Sequence, residues 1–214
     1  MPKAAALNSP GTGSFTYREI TKKDFPLIAE LFGEKGACSG CWCMWWRSPL
    51  TGKAYHAEQG EGNRAAFQAL IEQGVVNGIL AFDGEGKSKT PVGWCTFGPR
   101  TDFPRLNRTM AYVREDTEQV WSIPCFYISR GFRSQGVARG LLKAAMAAIG
   151  RGRNVIIEGY PVPLTKAGER LPATFAFTGP LPLFTELGFQ MVQRTSHSRP
   201  LVQRHTSPES KLQL

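Results

Sequence analysis

The chain has 214 residues, 42% apolar and 20% charged, which suits one domain with its own core and excludes a disordered or membrane-embedded protein. Its 26 Lys and Arg against 17 Asp and Glu leave a net charge of +9 that is spread along the chain, with no dense basic block and no aromatic–basic RNP pattern. A small phosphate-rich ligand therefore suits the charge better than nucleic acid, which is not expected as a partner, and neither is a membrane.

The first 13 residues, MPKAAALNSPGTG, lack the apolar stretch of a signal peptide and are expected to form a flexible tail, which predicts a cytoplasmic protein. FTYREI (15–20) alternates as a first strand, and TKKDFPLIAELFGE carries helical spacing from Phe25 to Phe32 with Thr21 as N-cap. The segment CSGCWCMWWR (38–47) follows, then a polar connector, then a second helix in NRAAFQALIEQG with Ala66, Leu70 and Ile71 on one face and Gly74 as its stop. GILAF and PVGWCTFG read as a hairpin joined by DGEGKSKT, and PRTDFPRLNRT as an excursion with a short helical turn. QVWSIPCFYI (119–128) is an apolar strand interrupted by Pro124, and SQGVARGLLKAAMAAIG is a strong helix ending at Gly150. NVIIEGY, LPLFTELG, FQMVQRT and RPLVQR add a strand, a short helix and two last strands. The order defines one mixed α/β domain over 14–206, with a second flexible tail at 207–214.

Chemistry concentrates in CFYISRGFRSQGVARGLL, where a strand runs through a short turn into the long helix. Gly136 and Ala138 leave the backbone unobstructed, so the free N–H groups and dipole of the helix start favour an anion there. Arg130, Arg133 and Arg139 surround that point, which predicts a pyrophosphate cradle. The turn is neither a Walker A loop nor a three-glycine dinucleotide fingerprint. Pro124 cannot donate to a ladder, so its strand should bulge or part from a neighbour, leaving backbone groups for an extended, amide-bearing ligand arm. Coenzyme A has such an arm and a pyrophosphate.

Arg133-x-x-Gly136-x-Ala138 followed by GLL, together with LFTELGF at 183–189, resembles the GNAT family of N-acetyltransferases. CWCMWW, PVGWCTFGPR, VWSIPCF and EGYPV further resemble a bacterial subgroup of that family. The resemblance implies a mixed, mostly antiparallel sheet with splayed middle strands flanked by helices. It also implies acetyl-CoA as donor, a small primary amine as acceptor, direct attack of the amine on the thioester, no metal, and a monomer or homodimer. Two other readings stay open: a non-catalytic acyl-CoA sensor, and an acetyltransferase associated with nucleic acid or ribosomes.

Carried over by motif, main chain at Phe126 and Ile128 would hold the acetyl and pantetheine groups. The turn Arg133, Ser134, Gln135, Gly136, Val137, Ala138 and Arg139 would hold the pyrophosphate. The family commonly uses a tyrosine as general acid where this chain has Phe184. Tyr160 is the nearest replacement, ahead of Cys125, Ser129 and Thr178 or release of the free thiolate, with a packed loop aromatic as the alternative reading of Tyr160. Glu158, a carboxylate ending an apolar strand, is the candidate base, with an ion-paired Glu as the alternative. His56, His197 and His205 form no ligand or triad pattern.

Cys38, Cys41 and Cys43 could be three ligands of a zinc site or hold a redox pair, but no second ligand pair follows. The region between the first two helices borders the acceptor side of the cleft in the family. Trp42, Trp45 and Trp46 are thus expected to form a π-rich acceptor wall, with a plain aromatic core as the alternative.

Overall fold

The computed structural model of the protein describes residues 15–84, 89–109, 112–113, 119–165, 168, 171–172, 175–192 and 198–206. The tails expected at 1–13 and 207–214, and His197, lie outside these residues.

Strand β1 (Thr16–Glu19) leads to helix α1 (Phe25–Phe32). The helix begins later than a Thr21 cap would allow, because Pro26 tolerates only the first turn, where no N–H is needed. Asp24 is the N-cap residue, and Thr21 supports it by donating its N–H (2.6 Å) and hydroxyl (2.9 Å) to the Asp24 carboxylate. The connector after the Cys–Trp segment holds a short helix the pattern did not predict, α2 (Gly52–Ala57), anchored by the buried Tyr55. Helix α3 (Glu61–Gln73) ends as expected at a left-handed Gly74, but its buried face is Asn63, Phe67 and Ile71, with Ala66 exposed.

β2 (Asn77–Asp83) and β3 (Thr90–Pro99) form the predicted hairpin, and two short 3-10 turns (Arg100–Asp102 and Pro104–Arg108) make the excursion. β4 (Val120–Ile128), a 3-10 turn (Arg130–Phe132), α4 (Val137–Gly150), β5 (Ile156–Gly159), α5 (Leu181–Thr185), β6 (Gln190–Met191) and β7 (Val202–His205) follow. The strands form one seven-stranded sheet in the order β1-β2-β3-β4-β5-β7-β6. Every pair is antiparallel except β4–β5, which α4 connects as a crossover. The mixed, mostly antiparallel sheet flanked by helices is thus as expected.

Both faces of the sheet are covered. On β2, Ile79 and Ala81 pack with α4, while Leu80 and Phe82 pack with α1 and α3. Gly93 lets α4 lie close, since a Cβ there would fall 2.8 Å from Val137 and 3.1 Å from Leu141.

Pro124 acts as its chemistry predicts. The β3–β4 register slips between Thr96↔Cys125 and Gly98↔Ser122, so Ile123 and Pro124 together oppose Phe97. On the other side, pairing of β4 with β5 stops at Ile123↔Gly159. From Pro124 onward β4 has β3 on one edge and, among the described residues, no strand on the other.

Gly159, the last paired residue of β5, makes room for the fully buried Phe184, whose ring would meet a Cβ there at 2.3 Å. Phe184 packs edge-on against Phe126 and Phe189, at centroid distances of 6.1 and 5.1 Å. Gly159→Ala should therefore overpack this corner and lower stability by about 1–3 kcal/mol. A urea midpoint equal to that of the parent would show that Phe184 is not held this tightly.

Candidate active site

The open edge of β4 is the starting point of the site. Ser129 donates its N–H to the Val92 carbonyl on β3 (2.9 Å), so by alternation Phe126 and Ile128 direct their main-chain groups away from β3, into the gap. In this structure the Phe126 N–H is bonded to the Phe177 carbonyl (2.6 Å), and the Ile128 carbonyl accepts from Arg133 Nε (3.1 Å). A cavity of about 1180 Å³ runs along this edge, from the start of α4 to the Cys–Trp segment.

At the α4 end, Arg133, Ser134, Gly136, Val137, Ala138 and Arg139 all line the cavity. Gly136 is the N-cap, with φ 86°, and a Cβ built on it would meet nothing within 4 Å. Ser134 is also left-handed (φ 61°), which folds the turn back over the helix start. No acidic residue occupies the first turn of α4 to compete with a ligand for its free N–H groups. An exposed, unobstructed helix start flanked by two arginines fits a pyrophosphate group. Gln135 stands apart from the lining residues: its side-chain amide donates to the Gly131 carbonyl (2.7 Å) and braces the turn. Arg139 is ion-paired with Glu186, which also borders the cavity.

At the other end the three tryptophans separate. Trp45 and Trp46 line the cavity together with Tyr55, Phe177 and Arg199. The Arg105 guanidinium lies 4.0 Å from the Trp45 ring and 4.6 Å from Tyr55, which fixes the Trp45 plane. Trp42 is not in this wall. It is 4% exposed and packs between Phe25 (6.0 Å) and Phe32 (5.7 Å) in the core beneath α1. The backbone is left-handed at both Trp42 (φ 47°) and Cys43 (φ 57°), a reversal that sends Trp42 and the later tryptophans to different places. Gly36 is required for this, because a Cβ there would fall 2.3 Å from the Trp42 indole nitrogen. Cys38, Cys41, Cys43 and Cys125 also line the cavity, as free thiols. Among the described residues no group of three or more His, Cys, Asp or Glu is placed to hold a metal ion.

Glu158 and Tyr160 are not where a base and an acid for this cavity should be. Both are fully buried on the β5 side of the gap, and neither lines the cavity. Glu158 is ion-paired with Arg100, accepts from the Tyr160 hydroxyl (2.8 Å) and takes a bond from Gln203 (2.9 Å). Tyr160 also bonds Ser122 (2.8 Å) and Arg100 (3.0 Å), and burial pushes its pKa well up. The ion-paired reading of Glu158 and the packed reading of Tyr160 are therefore the ones the geometry carries. The reason is register: Ser122↔Glu158 are neighbours across the parallel pair, still inside the zipped part of the sheet. Phe184 is likewise a core residue rather than a cavity residue.

The sequence model of the Acetyltransferase (GNAT) family matches residues 41–158, more than half of the chain. The chain belongs to the GNAT acetyltransferase family. It is accordingly an acyltransferase, and this match takes in the Cys–Trp segment from Cys41 onward, the parted strand and the turn into α4. No curated protein matches the chain. Solved GNAT structures share its fold: an N-acetyltransferase from Staphylococcus aureus Mu50 superposes with a TM-score of 0.51 at 12% identity, over 90% of this chain and 98% of that one. A GNAT superfamily phosphinothricin acetyltransferase from Sinorhizobium meliloti, in complex with AcCoA, gives 0.51 at 14% identity, over 90% and 89%. No helix among the described residues is long and apolar enough to cross a membrane.

Tyr55, Arg100, Phe177 and Arg199 escaped the sequence reading. Arg100 closes the motif PVGWCTFGPR, and its place just after an apolar strand was the only signal of its burial. Phe177 and Arg199 reach the cavity from long connections, and no local pattern marks them. Glu158→Gln should lower stability by about 3 kcal/mol, since it strands the buried Arg100 charge. A general base would instead lose turnover with its unfolding midpoint unchanged, so chemical denaturation of the variant separates the two roles.

Proposed function

We propose that the protein is an acetyl-CoA-dependent N-acetyltransferase that moves an acetyl group to a primary amine of a small acceptor. The observation that carries this reading is the continuity of the helix-start cradle at Arg133–Arg139 with the open edge of β4 in one cavity. The pyrophosphate of acetyl-CoA would take the free N–H groups at the start of α4, and its amide-bearing arm the main chain at Ile128 and Phe126. The AcCoA in the Sinorhizobium meliloti phosphinothricin acetyltransferase supports the same donor here. When bound, acetyl-CoA supplies an activated thioester carbonyl. The Phe126 N–H can donate to that carbonyl once it lets go of Phe177, so donor binding and displacement of the 175–179 segment go together.

On the acceptor side, Trp45, Trp46, Tyr55 and Phe177 offer apolar, π-rich surface, and Arg199 adds a positive charge. This supports a small neutral or anionic amine carrying a ring or another flat group, and argues against a polycation. Screening amines against the full chain with acetyl-CoA, with mass-spectrometric detection of acetylated product, identifies the class; turnover confined to polyamines would overturn the assignment.

The donor site has a direct test. Gly136→Glu places a carboxylate over the helix start and should weaken acetyl-CoA binding by at least about tenfold, measured calorimetrically on protein with an unchanged circular dichroism spectrum. Unaltered affinity would remove the cradle from the donor site.

A further inference from the structure

Arg199 is a half-buried cation at the acceptor end of the cavity, and among the described residues no acidic side chain is paired with it. Arg47, Arg100 and Arg139, by contrast, pair with Asp102, Glu158 and Glu186. Arg199 donates instead to two neutral oxygens, the Thr178 hydroxyl and the Phe175 carbonyl (2.8 Å), and its guanidinium lies 4.6 Å from the Phe177 ring. Those bonds leave further guanidinium N–H donors for a ligand. A guanidinium withdrawn from water without a counter-charge is costly, and burial accordingly lowers its pKa.

No carboxylate of the chain answers an ammonium group at this end. Among the described residues Glu186 is the only acidic one that lines the cavity, and it is ion-paired with Arg139 beside α4. A ligand carrying only positive charge would meet Arg199 and find no partner. One carrying a carboxylate would meet a planar fork of donors matched to it. Trp46 adds to the demand for a ligand oxygen: its indole N–H is buried and has no partner among the described residues, and its ring also packs against Phe177, at 6.4 Å.

Arg199 is held in place from two sides. Its main-chain carbonyl accepts from the Tyr112 hydroxyl (2.7 Å), outside the 175–179 segment. Its side chain is bonded to that segment at Thr178, the residue after Phe177, whose carbonyl takes the Phe126 N–H. The segment that must leave Phe126 to admit a thioester carbonyl is therefore the same one that occupies Arg199, and its departure frees those donors for a carboxylate. Because Thr178 directly follows Phe177, a small molecule spans from Arg199 to a group bonded at the Phe126 N–H.

We propose that the acetyl acceptor is an amino acid, with its carboxylate on Arg199 and a flat side chain against Trp45 and Trp46. The inference rests on the protein being an acetyl-CoA-dependent N-acetyltransferase and narrows its acceptor to one class of amine. Held by its carboxylate, the amino acid presents its unprotonated nitrogen to the acetyl carbon. The nitrogen–carbon bond forms, the bond from that carbon to the coenzyme A sulfur breaks, and the proton lost by nitrogen ends on the departing thiolate. Arg199 exchanges no proton in this sequence; it selects which amine reaches the thioester.

The test gives the full chain acetyl-CoA and compares L-tryptophan and L-phenylalanine with their amides and with tryptamine and phenethylamine, following acetylated product by mass spectrometry. Each amino acid should show a kcat/KM at least about tenfold above that of its amide, the loss expected when a charge-assisted hydrogen bond is removed. The amide's amino group is the less basic of the two, so the supply of unprotonated nitrogen favours the amide, and a preference for the carboxylate reports its binding. In Arg199→Gln protein with the parent's thermal melt the two should come within about twofold of each other. Should that variant not fold, the ratios on the parent decide. Equal or better use of the amide, a preference that survives Arg199→Gln, or acetylation of other amines but of neither amino acid would overturn the inference and leave the N-acetyltransferase assignment standing. Failure to bind acetyl-CoA, or binding with no amine acetylated, would overturn that assignment and this inference together.

Discussion

The gap between β4 and β5 opens at Pro124, and the geometry of the site follows from how that gap is made. Proline has no N–H to give to a ladder and its ring fixes the backbone, so β4 bulges against β3 and stops pairing with β5 at the same place. Beyond it the strand keeps one partner and presents main-chain groups of Phe126 and Ile128 to the cavity. Four residues further on the same strand ends and turns into α4. One covalent constraint thus supplies the open edge that a peptide-like arm can bond, and the strand's own continuation supplies the helix start that can hold an anion. The Cys–Trp segment closes the other end, delivered there by its left-handed residues.

What keeps the sheet zipped up to the gap is a buried polar network. Arg100, opening the 3-10 turn after β3, joins Glu158 of β5, which in turn takes Gln203 of β7, while Tyr160 links the pair to Ser122 of β4. Such a network ties three strands to the turn that follows β3, and leaving any member unpaired in that interior is costly. It sits just inside the last β4–β5 pair, Ile123↔Gly159. Glu158 and Tyr160 therefore support the sheet beside the gap, and the cavity itself is lined by β4 and the Cys–Trp segment.

The sequence reading succeeded where the physics is local. A proline inside an apolar strand, a glycine at a helix start and arginines around it state their consequences within a few residues, and α3, α4 and the hairpin carry their own periodicity. It failed where a residue's role depends on which neighbours arrive from elsewhere. Trp42, Trp45 and Trp46 are nearly adjacent in the chain, yet the first belongs to the core under α1 and the other two to the cavity. Glu158 was legible as a carboxylate on an apolar strand; that its partner would be Arg100, 58 positions away, was not. Thr21 failed for a local reason that was available: Pro26 forbids a helix starting so early.

From sequence alone the order of elements other than α2, and the strand that must open, were determined, because backbone conformation and hydrogen-bonding capacity belong to residue types and their immediate neighbours. Only the tertiary structure decided which charged and aromatic side chains meet the cavity and which are buried beside it. It alone brought Arg100 to Glu158 and Cys43 to Cys125 and Trp94, since these partners come from segments far apart in the chain and meet only when the sheet is packed.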